Sequence, residues 1–261
     1  SRTTGGTTHL FLNGYTTESS GRRSWSVFKL IASTAVFTRT SVTPYTGLSA
    51  TDHAIPTAIK LVGGSIWVLG GQMDASHNTH AIILKENGAA YPVALDYRKI
   101  TAFDGKEQFN DLALTSTGGD YYVTHNYKLL SGRPDIGSQI IKGRVSTPTA
   151  ITVKETGYMY PGALDTVYSS IINYKNSDTY YLGGTALTSA GGWFDYVRKF
   201  TSTSAVTESD HTMHRLGYGS SSALNVLLGD DVTTNIWAFN GVMKMALQTE
   251  GQVHFKKLAC Q

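Results

Sequence analysis

The sequence is poor in cysteine and in charge, and each shortage excludes a class of structure or partner. Its single cysteine, Cys260, has no second thiol to pair with, so no disulfide forms within the chain and the redox compartment stays open. Charged residues make up only 16% of the chain, and the densest basic clusters are the pairs Arg22-Arg23 and Lys256-Lys257. Pairs are too short for a nucleic-acid interface, so we expect no nucleic-acid partner.

Long apolar runs are also missing. No run approaches the roughly 18 residues that a membrane-spanning helix needs, so we expect no membrane insertion. The chain starts at Ser1 without an initiator Met or a signal peptide, and we interpret it as part of a longer chain. Gly (27) and Tyr (15) are abundant instead, and 41% of the residues are hydrophobic. This composition is typical of β-rich proteins of the cell exterior, so we expect an extracellular or virion-surface location.

One unit recurs five times along the chain at a period of about 57 residues. Two independent series of landmarks share this period. The first series has spacings of 57, 55, 58 and 57, and its members are Gly14, Gly71, Asn126, Gly184 and Gly241. The second series has spacings of 56, 57, 57 and 57, and its members are Lys29, Lys85, Lys142, Lys199 and Lys256. We interpret the lysines as part of a solvated strand face that discourages pairing at sheet edges.

Each unit predicts up to four antiparallel strands, with a tight hairpin turn between the first two. The second unit is the clearest, with strands at Thr57–Val62, Ser65–Gly70, His80–Lys85 and Tyr91–Leu95 around a turn at Gly63-Gly64. The first unit contains only the end of a first strand, and the fifth unit lacks a fourth strand. Four-strand units at a fixed spacing predict an all-β fold, a five-bladed β-propeller that forms one domain over residues 1–261.

Three successive units place a carboxylate eleven residues before the hairpin turn. These carboxylates are Asp52, Glu107 and Asp165, which precede Gly63, Gly118 and Asn176. The first strands that follow them are predicted at Thr57–Val62, Leu112–Ser116 and Ser170–Tyr174. Equal offsets in a radial repeat place equivalent residues at equal height, so we expect the three carboxylates on one face, at the mouth of the central channel.

Three interpretations of these carboxylates stay open. They could cap their own loops by accepting backbone N–H groups, as Asp often does. They could bind a hard cation through oxygen ligands, in which case Ca²⁺ is the cofactor to expect, although nothing in the sequence requires a cofactor. They could also supply the acid and base of glycoside hydrolysis.

Aromatic and amide side chains cluster in the segments before the predicted first strands. Tyr rings stack on the apolar faces of sugars while their hydroxyl groups form hydrogen bonds, so this composition suits a glycan. Tyr is also a common residue in strands, and a purely structural role is the alternative. The candidate ligand-binding residues are His53, Asn110, Tyr158, Tyr160, Tyr168 and Tyr218.

The five-unit pattern resembles five-bladed propellers of two groups. The Gly-, Ser-, Thr- and Tyr-rich composition is similar to that of lectin-like and phage-tail receptor-binding propellers. The three carboxylates are similar to those of furanose-cleaving glycosidases, which carry Asp, Asp and Glu in chain order on their first three blades. Here the order is Asp52, Glu107 and Asp165 on blades two to four, so the pattern departs from that family in order and in position.

We therefore interpret the chain as a recognition module that binds a cell-surface glycan or receptor, and a virus or phage attachment protein fits this role best. The first alternative is a furanosidase- or sialidase-like glycoside hydrolase that uses the three channel-facing carboxylates. A single turn, residues 18–25, resembles the sialidase Asp-box without its Asp. The second alternative is a structural platform that contacts other chains of a larger assembly.

Overall fold

The computed structural model of the protein is built from β-strands joined by turns and loops. It describes residues 1–31, 34, 36–41, 53–74, 76, 78–88, 90–97, 105–129, 136–158, 163–174, 177–188, 193–204, 211–212, 222–229, 235–242 and 252–259. Within these ranges the chain forms two compact units. The first comprises Ser1–Asn110 with Val145–Thr149, and the second comprises Asp111–Arg144 with Ala150–Gln261.

The first unit contains two antiparallel sheets of four strands, each in simple chain order. The strands of the first sheet are β1 (Arg2–Thr4), β2 (Thr7–Thr17), β3 (Arg23–Ile31) and β4 (Val36–Ser41). The strands of the second sheet are β5 (His53–Val62), β6 (Ser65–Met73), β7 (Thr79–Lys85) and β8 (Val93–Asp96). The two sheets share an apolar cluster in which Trp25 and Val27 pack with Ile66, Val68 and Ile82.

Three further sheets follow, again in chain order. The third sheet has β9 (Gly105–Leu114), β10 (Asp120–Leu129), β11 (Gly137–Arg144) and β12 (Ile151–Tyr158), and β9 runs from the first unit into the second. The fourth has β13 (Ala163–Asn173), β14 (Thr179–Thr188), β15 (Trp193–Thr201) and β16 (His211–Thr212). The fifth has β17 (Ser222–Gly229), β18 (Asn235–Val242) and β19 (Gln252–Ala259).

The core of the second unit is aromatic. Tyr122 meets Phe200 edge to face at 5.2 Å and Tyr180 at 4.7 Å between ring centroids, and Tyr180 stacks on Phe200 at 5.0 Å. Such pairs stabilise beyond the area that they bury. No helix in the described part of the chain has the length and apolar character needed to cross a membrane.

The five sheets confirm the repeat that the sequence predicts. Every landmark of the first series lies in the second strand of its sheet: Gly14 in β2, Gly71 in β6, Asn126 in β10, Gly184 in β14 and Gly241 in β18. The first sheet opens with a strand of only three residues, and the fifth sheet has three strands among the described residues. Both features agree with the incomplete first and last units that we expected.

The first strands of the sheets begin earlier than predicted. β5, β9 and β13 start at His53, Gly105 and Ala163, four to seven residues ahead of the predicted starts. In β5 and β13 the extra length contains a β-bulge, between Pro56 and Ala58 and between Tyr168 and Ser170. A bulge interrupts the alternation of inward and outward side chains, so the pattern in the sequence breaks although the strand continues.

The repeated lysines have a different setting from the one that we predicted. In the first four sheets the third strand is interior, since a fourth strand pairs with it. Four lysines lie directly opposite an aromatic residue of the second strand, in the pairs Phe11–Lys29, Trp67–Lys85, Tyr122–Lys142 and Tyr181–Lys199. The ammonium nitrogen lies over the ring at 5.6 Å in the second pair and 5.9 Å in the fourth. Two of the five lysines, Lys85 and Lys199, therefore form cross-strand cation–π pairs. In the first four sheets the interior third strand contradicts a role in edge protection.

A bidentate ion pair ties the start of the chain to the second sheet. Arg2 donates from Nη1 to Glu86 Oε2 at 2.6 Å and from Nη2 to Glu86 Oε1 at 3.0 Å. Ile66 N also donates to Glu86 Oε2, at 2.9 Å. Burial acts to raise the pKa of the Glu86 carboxyl, but these hydrogen bonds and the charge of Arg2 outweigh it and hold the pKa below its ordinary value.

We predict that Glu86→Ala lowers the free energy of unfolding by about 2 kcal/mol, because it removes the acceptor that three N–H donors share at a partly buried site. The matched control is Asp120→Asn, which weakens the more exposed Asp120–Lys142 pair of 2.9 Å and should cost less than about 1 kcal/mol. Urea denaturation of both variants checks the difference. Equal losses would contradict the prediction.

His125 is fully buried in β10, and burial lowers its pKa to about 3. Its Nδ1 lies 2.6 Å from Gln139 Nε2, so the amide donates and the ring nitrogen accepts. Protonation of that nitrogen would remove the bond, which agrees with a neutral ring. The unfolded chain binds a proton at this residue near pH 6.5, while the folded chain does so only near pH 3.

Stability should therefore fall as the pH falls from 6.5 towards 3, by about 1.4 kcal/mol per pH unit from this one group. The change to test is His125→Gln, which removes the titrating ring. Its free energy of unfolding, measured by denaturant at pH 7 and pH 5, should change less between the two pH values than that of the unaltered protein. The same change in both proteins would show that His125 is not responsible.

Candidate functional site

Two of the three predicted carboxylates occupy the same position in successive sheets. Glu107 is the third residue of β9, and Asp165 is the third residue of β13, each the first strand of its sheet. Both are buried, with 2% and 8% of their surface exposed. Asp52, the third candidate, lies outside the described residues, directly before β5. The equal offset in sequence therefore corresponds to an equal place in the strand for Glu107 and Asp165.

Glu107 lies where β9 comes close to the second sheet. A Cβ atom at Gly71 in β6 would meet Glu107 O and Gln108 Cβ, each at 3.3 Å. It would also come within 2.5 Å of the Thr79 methyl group. Thr57 Oγ1 donates to Phe109 O at 2.5 Å from β5, two residues further along β9. Close approach at Gly71 thus holds the backbone that carries Glu107.

Asp165 lies between two irregularities in β13. The register with β14 shifts between Ala163 and Asp165 and again between Tyr168 and Ser170. The Asp165 carboxylate accepts a hydrogen bond from Ile136 N at 2.8 Å, and Thr166 N donates to Ile136 O at 3.0 Å. The donor, Ile136, directly precedes β11 of the preceding sheet, so the Asp165 carboxylate links two sheets. The capping interpretation expected a bond within the loop that carries Asp165.

The predicted metal site has no counterpart among the residues whose placement is described. Within them, no group of three or more His, Cys, Asp or Glu side chains could hold an ion. Asp52 belongs to the predicted set and is outside that part of the chain. Binding of Ca²⁺ by Asp52, Glu107 and Asp165 stays a prediction.

Two of the predicted ligand-binding residues are partly buried and take part in hydrogen bonds. His53 is the first residue of β5, and its Nδ1 accepts from Arg23 N at 3.3 Å. Asn110 Oδ1 accepts from Gln108 Nε2 at 2.8 Å, two residues away on β9. These bonds orient His53 at the start of β5 and Asn110 in the middle of β9. Their role in ligand binding stays a prediction.

Tyr168 requires a correction. Its ring is fully buried in the fourth sheet and packs edge to face against Tyr196 at 6.1 Å. Its hydroxyl group accepts a hydrogen bond from Arg198, which is also buried. A ring with no exposed surface offers no face to a sugar, so Tyr168 belongs to the core. The prediction failed because β13 begins at Ala163, whereas we had expected the strand to begin at Ser170. Tyr168 therefore lies within the strand and not in a loop before it.

The other predicted tyrosines cannot be compared in this way. Tyr158 is the last residue of β12, and its side chain is outside the description. Tyr160 and Tyr218 lie outside the described residues altogether. All three stay predictions.

Sequence reasoning missed a polar network that surrounds the segment carrying Asp165. Asn126 in β10 and Ser138 in β11 bond to the backbone of Thr166 and Tyr168. One signal could have found it, because Asn126 stands where the other four repeats carry glycine. Nothing in the sequence distinguishes Ser138 from the many other serines of the chain.

Asp111 in β9 is a second residue that we missed. It is buried, and its Oδ2 accepts from Ser170 Oγ at 2.9 Å and from Ile171 N at 3.0 Å. Its own N–H donates to Thr124 Oγ1 at 2.9 Å. Asp111 thus holds β13 just beyond the bulge, as Asn126 and Ser138 hold it just before.

Comparison with known proteins identifies the fold and no family. No protein-family model matches the sequence, and no curated protein matches it. Among solved structures, a thermostable family-43 glycoside hydrolase is similar at 8% identity with a TM-score of 0.57, over 97% of this chain and 86% of that one. Levansucrase from Bacillus subtilis is similar at 7% identity with a TM-score of 0.51, over 97% and 80%.

Puromycin hydrolase is also similar, at 10% identity with a TM-score of 0.54 over 89% of this chain. The chain spans only 34% of the length of that protein. Identities of this size establish the fold alone. Together with the five antiparallel sheets, the likeness to the family-43 structure shows that the chain has the five-bladed β-propeller fold, as the repeat predicts.

We predict that Gly71→Ala destabilises the protein by about 1–3 kcal/mol, the usual cost of overpacking. The new methyl group would press on Thr79 and on the backbone of Glu107. The matched control is Gly14→Ala at the same landmark in β2, where the nearest atom, in Phe28, lies 3.5 Å away, an ordinary contact. Denaturant midpoints of the two variants check the prediction, and a loss at Gly14 as large as that at Gly71 would contradict it.

Proposed function

We propose that the chain is a glycoside hydrolase whose candidate catalytic groups are Asp52, Glu107 and Asp165. The observation that carries the proposal is the buried carboxylate at the third residue of the first strand in two successive sheets, Glu107 in β9 and Asp165 in β13. In a propeller the blades surround a central channel, where a repeat can supply the same type of side chain from several blades. A structure with a similar fold, the family-43 glycoside hydrolase, supports testing this chemistry first.

The chemistry needs two carboxyl groups with different tasks. One, in its protonated form, donates a proton to the glycosidic oxygen as the bond to the anomeric carbon breaks. The other, as a carboxylate, either removes a proton from the attacking water or attacks the anomeric carbon itself. The hydrogen bond from Ile136 N fixes one oxygen of the Asp165 carboxylate. Because the group is planar, this bond also restricts where the second oxygen points, as either catalytic role requires.

The substrate class that we propose is a furanoside or a sialoside, as the sequence suggested. The test is hydrolysis of aryl furanosides and aryl sialosides by the intact protein. We predict that Glu107→Gln and Asp165→Asn each lower kcat/KM by about 10²- to 10⁴-fold, the usual contribution of acid–base catalysis. Both substitutions keep the size of the side chain and an oxygen acceptor, so the amide oxygen introduced by Asp165→Asn can still accept from Ile136 N.

The matched control for these variants is Asp178→Asn. Asp178 is a surface carboxylate in the turn before β14, and its Oδ2 accepts from Ser202 Oγ at 2.5 Å. We expect kcat/KM within about twofold of the unaltered protein. Loss of the proton donor should hurt substrates with poor leaving groups most, so a series of aryl leaving groups distinguishes the two tasks. Full activity of both site variants would refute the proposed roles.

A second candidate function, glycan recognition without cleavage, is favoured by a surface of the first unit. Tyr15 is 46% exposed, and the Arg23 guanidinium lies over its ring at 4.7 Å. Arg23 N donates to His53 Nδ1, which brings a predicted ligand residue to the same end of the first two sheets. An exposed aromatic ring beside cationic and imidazole groups suits a sugar with a carboxylate. Location at a cell or virion surface is part of this candidate.

A glycan array separates the two functions. Retention of a glycan without release of product, lost in Tyr15→Ala and kept in Asp165→Asn, would support recognition. Release of product that Asp165→Asn abolishes would support hydrolysis.

A further inference from the structure

The part of β13 that carries Asp165 receives hydrogen bonds from the preceding sheet as well as from its own. The Asn126 side chain forms a two-bond ring with the backbone of Tyr168, in which Nδ2 donates to Tyr168 O at 2.9 Å and Tyr168 N donates to Oδ1 at 3.0 Å. An amide side chain here does what the peptide group of a neighbouring strand would do. Asn126 and Tyr168 are both buried, so water does not replace these bonds.

Ser138 completes the attachment. Its Oγ lies 2.7 Å from both Asn126 Oδ1 and Thr166 O, and its one hydroxyl proton can be donated to either. The same Oγ accepts from Tyr168 N at 3.0 Å. Beside it, Ile136 and Asp165–Thr166 exchange the reciprocal pair of bonds described above. The backbone N–H and C=O groups of Thr166 and Tyr168 are therefore all within hydrogen-bond distance of residues of the third sheet or of Ile136, directly before β11.

The two register shifts explain why this second attachment matters. Residues Asp165–Tyr168 pair regularly with β14, but the strand is irregular on both sides, at Leu164 and at Ser169. A bulge bends and twists its strand locally and can redirect a side chain. The ladder to β14 alone leaves the direction of a short segment between two bulges loosely defined. Bonds from Asn126 and Ser138 fix it from the other side.

We infer that Asn126 and Ser138 are positioning residues for the Asp165 carboxylate, an inference that rests on the proposed hydrolase function for its catalytic consequence. Neither side chain contacts Asp165 directly. Both act through the backbone of Thr166 and Tyr168, which sets where the carboxylate lies relative to Ile136. A glycine at position 126, as at the same landmark of the other four repeats, would supply none of these bonds.

The test uses Asn126→Gly and Ser138→Ala in the intact protein. The control is Ile140→Val, which removes a methylene group from a fully buried side chain of the same β11 strand and breaks no hydrogen bond. The first readout is amide hydrogen exchange by NMR at Ile136 and Tyr168. We expect exchange protection at both amides to fall at least about tenfold further than in the control, because loosening of the segment exposes both donors.

The second readout is steady-state kinetics on whichever aryl glycoside the protein cleaves. We expect kcat to fall about 10- to 100-fold with KM within about threefold, since a small displacement of a catalytic group affects the chemical step more than binding. If Asn126 and Ser138 only stabilised the fold, the loss of activity would follow the loss of stability. The control Ile140→Val, destabilised without loss of a hydrogen bond, would then lose activity as well. If Asn126→Gly does not fold, Ser138→Ala, which deletes one hydroxyl group, decides alone.

Two results would overturn the inference: protection at Ile136 and Tyr168 that matches the control, or loosened amides with unchanged kcat. If the unaltered protein cleaves none of the substrates, the proposed function fails, and the exchange data alone decide the inference. Protection lost at Ile136 would then still show that Asn126 and Ser138 hold the Asp165 contact.

Discussion

The close approach of one sheet's first strand to the second strand of the sheet before it is the constraint on which the rest depends. At Gly71 the approach leaves no room for a side chain, since a Cβ atom would meet Thr79 and the backbone of Glu107. At Asn126 the approach is again close, and the side chain takes the place of a backbone partner for Tyr168. A backbone contact tolerates either no side chain or one that satisfies the backbone's own polar groups. At two of the five landmarks of the first series, Gly71 and Asn126, one sheet is thus in close contact with the next.

The strand pairs explain how much of the fold the sequence could predict. Hairpin turns such as Gly63-Gly64 need positive φ, which glycine adopts readily, and this turn lies between the first two strands of its sheet as predicted. The period of about 57 residues predicted the number of sheets correctly. The strand register places Lys85 opposite Trp67 and places the lysines of three other sheets opposite an aromatic residue. The lysine series therefore reflects this pairing in four sheets, whereas we had attributed it to protection of sheet edges. The starts of the first strands were predicted too late because the bulge at Pro56–Ala58 and the one at Tyr168–Ser170 break the alternation that marks a strand.

The same error limits what could be predicted of the site. The offset of eleven residues found Glu107 and Asp165, because both the turn and the strand position repeat. Tyr168 was assigned to a loop, and its burial follows from a strand that the pattern did not reveal. The bonds of Asn126, Ser138 and Asp111 to β13 join residues 28 to 60 positions apart in sequence. Such contacts depend on how two sheets pack, and composition or periodicity within one repeat contains no information about them.

The junctions at Gly71 and at Asn126 solve one packing problem in two ways. At Gly71 the contact depends on the absence of a side chain, and a hydrogen bond from Thr57 Oγ1 to Phe109 O joins the same two sheets. Between β10 and β13 the contact is made by directional hydrogen bonds among buried groups. Buried polar groups are costly when unsatisfied, so they permit one arrangement of the two strands where apolar packing would permit several. A carboxylate that must be held in one orientation is better placed beside the second kind of junction. Asp165, at the bulged start of β13, lies beside this junction, and the bond that its carboxylate accepts from Ile136 N belongs to the same set of contacts.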